Sequence, residues 1–207
     1  MFSELSLKNF IEKLSSPDPT PGGGSASSFV AAFGFSLVSM VLGIASKKHN
    51  TQEIVDLIEK AKEYVSKAEN FADKDTEAFN KVMDAFKLPK NSEEDKNYRR
   101  SKVQDSLKEA STVPLELMSL IVDGSHVVGE AFIFCPDSAI SDLFTALNFF
   151  EAAMEGAYAN VLINLKSIKD ESFVKDGYEK AKNIKEKFSS FSSDLKGKIL
   201  SKLNIGG

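Results

Sequence analysis

A chain of 207 residues with 42% hydrophobic and 27% charged residues can bury one sizeable core without help from cross-links, and is read as a single domain over residues 1–207. Its net charge of −4, with lysine and arginine dispersed, excludes nucleic acid as a main partner. One cysteine, Cys135, and two histidines, His49 and His126, rule out a disulfide framework and a Cys/His zinc site, so a metal-free site in the reducing cytoplasm is expected.

Residues 4 to 15 alternate charge with Leu5, Leu7, Phe10, Ile11 and Leu14 and predict a short amphipathic helix. The charges at Glu4, Lys8, Glu12, Lys13 and Asp18 leave no apolar run for a signal peptide. Next comes Pro19-Thr20-Pro21-Gly22-Gly23-Gly24-Ser25, two prolines that stiffen the chain, three glycines able to take positive φ, and a serine suited to cap a helix. Such a loop delivers free N–H groups and a helix dipole to an anionic or carbonyl-bearing ligand; it also suits a plain connector. Residues 25–46 are uncharged and long enough to span a bilayer, but more than half are Ser, Ala or Gly and no second span accompanies them. A helix buried in protein, with no membrane partner, is the expectation.

Thr51 and Glu53 open another helix whose apolar stripe runs from Ile54 to Phe86, as one long helix or two nearly collinear ones. Leu88-Pro89 breaks it, and Ser92 followed by three acids starts the next. Pro114 should kink or restart that helix, and Asp123-Gly124-Ser125 reads as a turn. After Cys135-Pro136 the apolar positions Ala139 to Leu165 predict a central helix, and a lysine-rich segment from Ser172 to Leu203 an outer one. No strand pattern occurs. The fold expected is an all-α bundle of six to eight helices, several of them long, forming a homodimer.

Two places break their own pattern. Asp75 falls four residues after Phe71 and four before Phe79, where a core residue belongs. It is either bonded to a neighbouring helix or carries the raised pKa that suits proton transfer. On the central helix Asp142, Asn160 and Asn164 share one face, followed by Lys166; they fit a polar pocket, or equally a first-turn acid and interhelical hydrogen bonds. Tyr98-Arg99-Arg100 reads as a solvated face or as a lure for an anionic tail, and the histidines as surface residues.

Taken together, Pro19 to Ser25, Asp75-Thr76-Glu77-Ala78-Phe79, Lys87-Leu88-Pro89-Lys90, Val113-Pro114-Leu115, Ser141-Asp142, and Gly156-Ala157-Tyr158 with Asn160 to Lys166 resemble the cyclodeaminase/cyclohydrolase family of folate enzymes. That family includes the C-terminal domain of formiminotransferase-cyclodeaminase and stand-alone methenyltetrahydrofolate cyclohydrolases. The resemblance implies an all-helical dimer without metal or prosthetic group that acts at N5 and N10 of a tetrahydrofolate derivative. It assigns catalysis to Asp75, and substrate contacts to Gly22, Gly23, Gly24, Ser25, Asp142, Asn160, Asn164 and Lys166. Cys135-Pro136 stands where many relatives have Gly-Asn, which leaves room for altered activity or for a folate-binding or scaffold protein without catalysis.

Overall fold

The apolar run that follows the glycines becomes α2, Gly23–Ser46, and the bundle is assembled around it. The computed structural model describes residues 1–49 and 51–203. Among these are six α-helices and no strand: α1 Leu7–Leu14, α2, α3 Gln52–Lys87, α4 Glu93–Phe134, α5 Ile140–Leu165 and α6 Glu171–Leu203. Short 3-10 turns precede α1 and α5. Helix α2 packs between α3 and α5, α4 closes the layer by touching all three, and α6 lies outside against α4 and α5.

Small residues set how closely these helices approach. A Cβ on Gly156 would strike the Ser27 hydroxyl, and one on Gly34 would come within 2.7 Å of the Phe150 ring. Phe35, fully buried, stacks on Tyr64 and meets Phe150 at 4.5 Å between ring centroids. Its ring also fills the space in which a Cβ on Gly124 would stand, so Gly124 is a slot for an aromatic ring and the expected turn at Asp123-Gly124-Ser125 does not exist. Helix α4 runs unbroken through both Gly124 and Pro114 for 42 residues, about 63 Å at 1.5 Å per residue.

The helix boundaries follow the local signals. Thr51 accepts from the Ile54 N–H to start α3, which is one continuous helix, and Ser92 with Asp95 forms a reciprocal capping box at the start of α4. Neither Ser138 nor Ser141 caps α5; Ala139 occupies that position without a side-chain bond. At the other end of the chain Asp170 accepts from the Phe173 N–H at 3.1 Å and opens α6. Asp73 of α3 accepts from the Phe2 N–H and the Ser3 hydroxyl, tying the N-terminal turn to the bundle, while Phe10 of α1 is buried against Phe29. Both α2 and α4 contain an 18-residue window long and apolar enough to cross a membrane; α2 was expected to be alone in this. Much of each window is packed against neighbouring helices.

Candidate active site

Asp75 lies in the middle of α3 on the stripe that packs against α2, as its spacing from Phe71 and Phe79 requires. What it meets there is the first turn of α2. Gly24 has no side chain, and the space a Cβ would occupy is filled by the Asp75 carboxylate. None of the described glycines has positive φ, so at Gly24 the residue is selected for its missing side chain and not for backbone freedom. Helix α2 begins one turn earlier than expected, with Gly22 as its cap residue. Ser25 therefore sits inside the helix, buried, instead of capping it.

The Ser25 hydroxyl lies 3.1 Å from Asp75 Oδ2 and 3.1 Å from the Ala72 carbonyl oxygen, with Thr76 Oγ1 at 3.4 Å. A hydroxyl has one proton to donate and lone pairs to accept with. When Asp75 is ionised Ser25 donates to it; when Asp75 is protonated Ser25 can turn to the Ala72 carbonyl and accept. Both protonation states are satisfied by one rotation. Burial raises the Asp75 pKa, and the opposing hydrogen bonds from the Ser25 side chain and backbone do not cancel it. Among the described residues no cation pairs with this carboxylate.

Asp75 opens onto a cleft of about 440 Å³ between α2, α3, α4 and α5. One wall is Pro19, Thr20 and Gly22 to Gly24; the other carries Asn160 and Asn164. The Asn160 Nδ2 donates to the Gly156 carbonyl one turn back at 2.8 Å, and Asn160 lies over Gly23. Asn164 Nδ2 donates across to the Ala110 carbonyl of α4 at 3.0 Å. Each amide is thus oriented by a main-chain acceptor. The mouth is apolar: Met83, Phe86 and Ile163 are exposed by 40%, 45% and 60%. Phe86 continues the α3 stripe read from the sequence past the point where helices cover it, while Met83 and Ile163 lie beside the stripes and went unnoticed there.

A second hollow of about 460 Å³ adjoins the cleft and shares Phe86, Leu107 and Ser167 with it. Lys90, Lys96, Arg99, Arg100 and Lys169 line it, and among the described residues no acidic side chain does. Arg99 and Arg100 are the only arginines in the chain, against 26 basic residues in all. The planar guanidinium suits two-pronged binding of carboxylates. The Arg99 Nε donates to the Phe86 carbonyl at 3.1 Å, which anchors this side chain at the junction of the two hollows.

Of the residues singled out from the sequence, Gly22, Gly23, Gly24, Asp75, Asn160 and Asn164 line the cleft, and Ser25 lies behind it against Asp75. Lys166 is exposed just past the end of α5 and lines neither hollow. Asp142 stands apart: it is eighteen positions from Asn160 on the same continuous helix, about 27 Å at 1.5 Å per residue. Sharing a helix face did not mean sharing a site. Its neighbour is Cys135, whose thiol burial pushes up to about 11, with Asp137 and Asp142 adding to the effect and Lys202 opposing it.

The same arrangement is set in a sequence with known relatives. A methenyltetrahydrofolate cyclohydrolase of Methylorubrum extorquens is 31% identical over 99% of this chain and 100% of its own. The formimidoyltransferase-cyclodeaminase of Mus musculus is 33% identical over 82% of this chain, which spans only 32% of that longer protein. The crystal structure of formiminotetrahydrofolate cyclodeaminase from Thermotoga maritima superposes with a TM-score of 0.86 at 32% identity, covering 98% of this chain and 99% of that one. The sequence profile described as formiminotransferase-cyclodeaminase matches residues 6–183. With most of its length inside that profile and a relative of equal extent above 30% identity, the chain belongs to the formiminotransferase-cyclodeaminase family.

Proposed function

We propose that the chain is a one-carbon enzyme that acts on a tetrahydrofolate derivative in this cleft, hydrolysing 5,10-methenyltetrahydrofolate to 10-formyltetrahydrofolate. The observation that carries the reading is the half-buried Asp75 carboxylate, unpaired by any described cation and backed by a hydroxyl that serves both of its protonation states. Full-length similarity to a methenyltetrahydrofolate cyclohydrolase supports it.

The methenyl carbon between N5 and N10 is electron-poor. Water adds to it, and Asp75 takes the proton that the water loses, with Ser25 turning to accept from the newly protonated acid. The protonated Asp75 then gives its proton to N5 as the carbon–N5 bond breaks. The hydroxyl of the adduct loses its proton, the formyl group stays on N10, and one proton is released overall. Before water adds, the ionised carboxylate offsets the positive charge of the methenyl group in a site of low dielectric. The reverse logic serves cyclodeamination, the reading favoured by the Thermotoga maritima match. There N10 attacks the carbon of the protonated formimino group on N5, Asp75 takes the N10 proton, and the acid passes it to the amino nitrogen, which leaves as ammonia.

The apolar mouth and the asparagine acceptors suit the flat ring and its N–H edge, and the arginine-lined hollow suits the carboxylates of the glutamate tail. This reading gives the tail to Arg99 and Arg100, the pair that the sequence offers as a lure for an anionic tail, and leaves Lys166 without a contact. We also read the protein as a cytoplasmic homodimer. The exposure of Phe33 and Met40 on α2, at 40% and 41%, supports a partner surface.

Mixing the protein with 5,10-methenyltetrahydrofolate and with 5-formiminotetrahydrofolate while following methenyl absorbance decides between the reactions. Loss of absorbance from the first supports hydrolysis and its appearance from the second supports deamination. Neither change, together with an unmoved melting temperature at saturating folate, would leave a helical scaffold without a folate role.

A further inference from the structure

A proline inside a helix has no N–H for the carbonyl four residues earlier, and so destabilises the helix. In α4 that carbonyl belongs to Ala110, and both Pro114 and Ala110 are buried. A buried carbonyl without a donor is itself costly. The donor here comes from another helix, the Asn164 side-chain amide at 3.0 Å. Because a carbonyl only accepts, the amide must present its nitrogen to α4 and its oxygen to the cleft.

We propose that Pro114 is a positioning residue for substrate: by withholding a helical N–H it frees the Ala110 carbonyl to hold Asn164, fixing Asn164 Oδ1 as an acceptor for the N–H edge of the bound ring. This rests on the folate reading of the cleft. The glycine loop forms the opposite wall of the same opening and Asn160 stands one turn back on Asn164's own wall, so a freely turning Asn164 would offer the ring a donor as readily as an acceptor. The competing role is packing, since Pro114 also closes a tight niche with Gly24, Phe71 and Asp75.

Kinetics and side-chain NMR separate the two. With Pro114→Ala the new N–H satisfies Ala110, and the Michaelis constant for 5,10-methenyltetrahydrofolate rises about three- to tenfold while kcat and its pH profile stay put. Asn164→Ala raises the constant by a similar factor, and the double variant is no worse than Asn164→Ala alone, the signature of one shared path. The Asn164 side-chain amide protons, slow to exchange in the native protein, exchange fast in Pro114→Ala. Multiplying effects, an unchanged Michaelis constant, or a moved pH profile would overturn the proposal and return Pro114 to packing around Asp75. If Pro114→Ala does not fold, Asn164→Asp, which keeps the acceptor but repels the Ala110 carbonyl, must raise the Michaelis constant as much as Asn164→Ala; wild-type binding would refute it. A native protein that binds and turns over no reduced folate overturns the substrate role outright, while loss of amide protection in Pro114→Ala would still show the anchor, so the two failures read differently.

Discussion

Two half-buried carboxylates of this bundle are held in opposite ways. Glu151 of α5 accepts from Lys196 Nζ at 2.7 Å and from the Ser192 hydroxyl at 2.7 Å, both on α6. Burial alone would raise its pKa, but those bonds outweigh burial and hold it below the usual carboxylate range. Asp75 has one hydroxyl, one N–H and no described cation, and its pKa is raised. The first arrangement fastens a helix; the second keeps a proton exchangeable. The fold spends stability at one place and recovers it at the other, which is the expected division between a site and its scaffold.

The sharpest way to break this contrast is Asp75→Asn. Turnover should fall by about 10²- to 10⁴-fold, the usual worth of a general acid–base group, while the melting temperature rises. The sign follows from linkage: a raised pKa means that the stability gained from protonated Asp75 is lost as pH rises through its folded value, so at neutral pH the ionised group is a burden the amide lifts. Hydrolysis by the native enzyme should accordingly fade as pH drops through a value raised above that of an ordinary aspartate, and a profile that fades at the ordinary aspartate value would show Asp75 unperturbed.

Gly24→Ala comes next. Its methyl group claims the place of the Asp75 carboxylate, and kcat/KM should drop about 10²-fold, as for a misplaced reacting group, with the helices still formed by circular dichroism. Replacing Arg99 and Arg100 together by Ala should raise the Michaelis constant about tenfold at low salt and less as salt screens the tail, leaving kcat alone. Smallest in activity is Glu151→Gln, which should cost about 1–3 kcal/mol in denaturant unfolding and leave kcat/KM at the native value. Its pH dependence runs the other way from Asp75: the stability Glu151 contributes is present above its unfolded pKa and is lost as pH falls through the lowered folded one.

How much of this was legible in the chain depends on the range of the interaction. Helix caps at Thr51 and Ser92 and the misplacement of Asp75 are local, set by neighbours three or four residues away, and they read correctly. Asp123-Gly124-Ser125 did not, because the propensity for a turn was overridden by the Phe35 ring, a partner nearly ninety positions distant. Gly24 was noticed for the wrong property, since φ is a local quantity and a carboxylate arriving from α3 is not. Asp142 was grouped with the asparagines by helical phase, which fixes direction around an axis and says nothing about distance along it. The arginine hollow needed three separate segments to be brought together, yet its residue usage was countable from the start.

That usage gives the chemist a handle. A dicarbonyl reagent selective for guanidinium over ammonium finds two adjacent targets in these 207 residues, both lining the hollow beside the cleft. The reagent therefore acts as an address label, and the degree to which a ligand shields it reports occupancy of that hollow without any need for turnover.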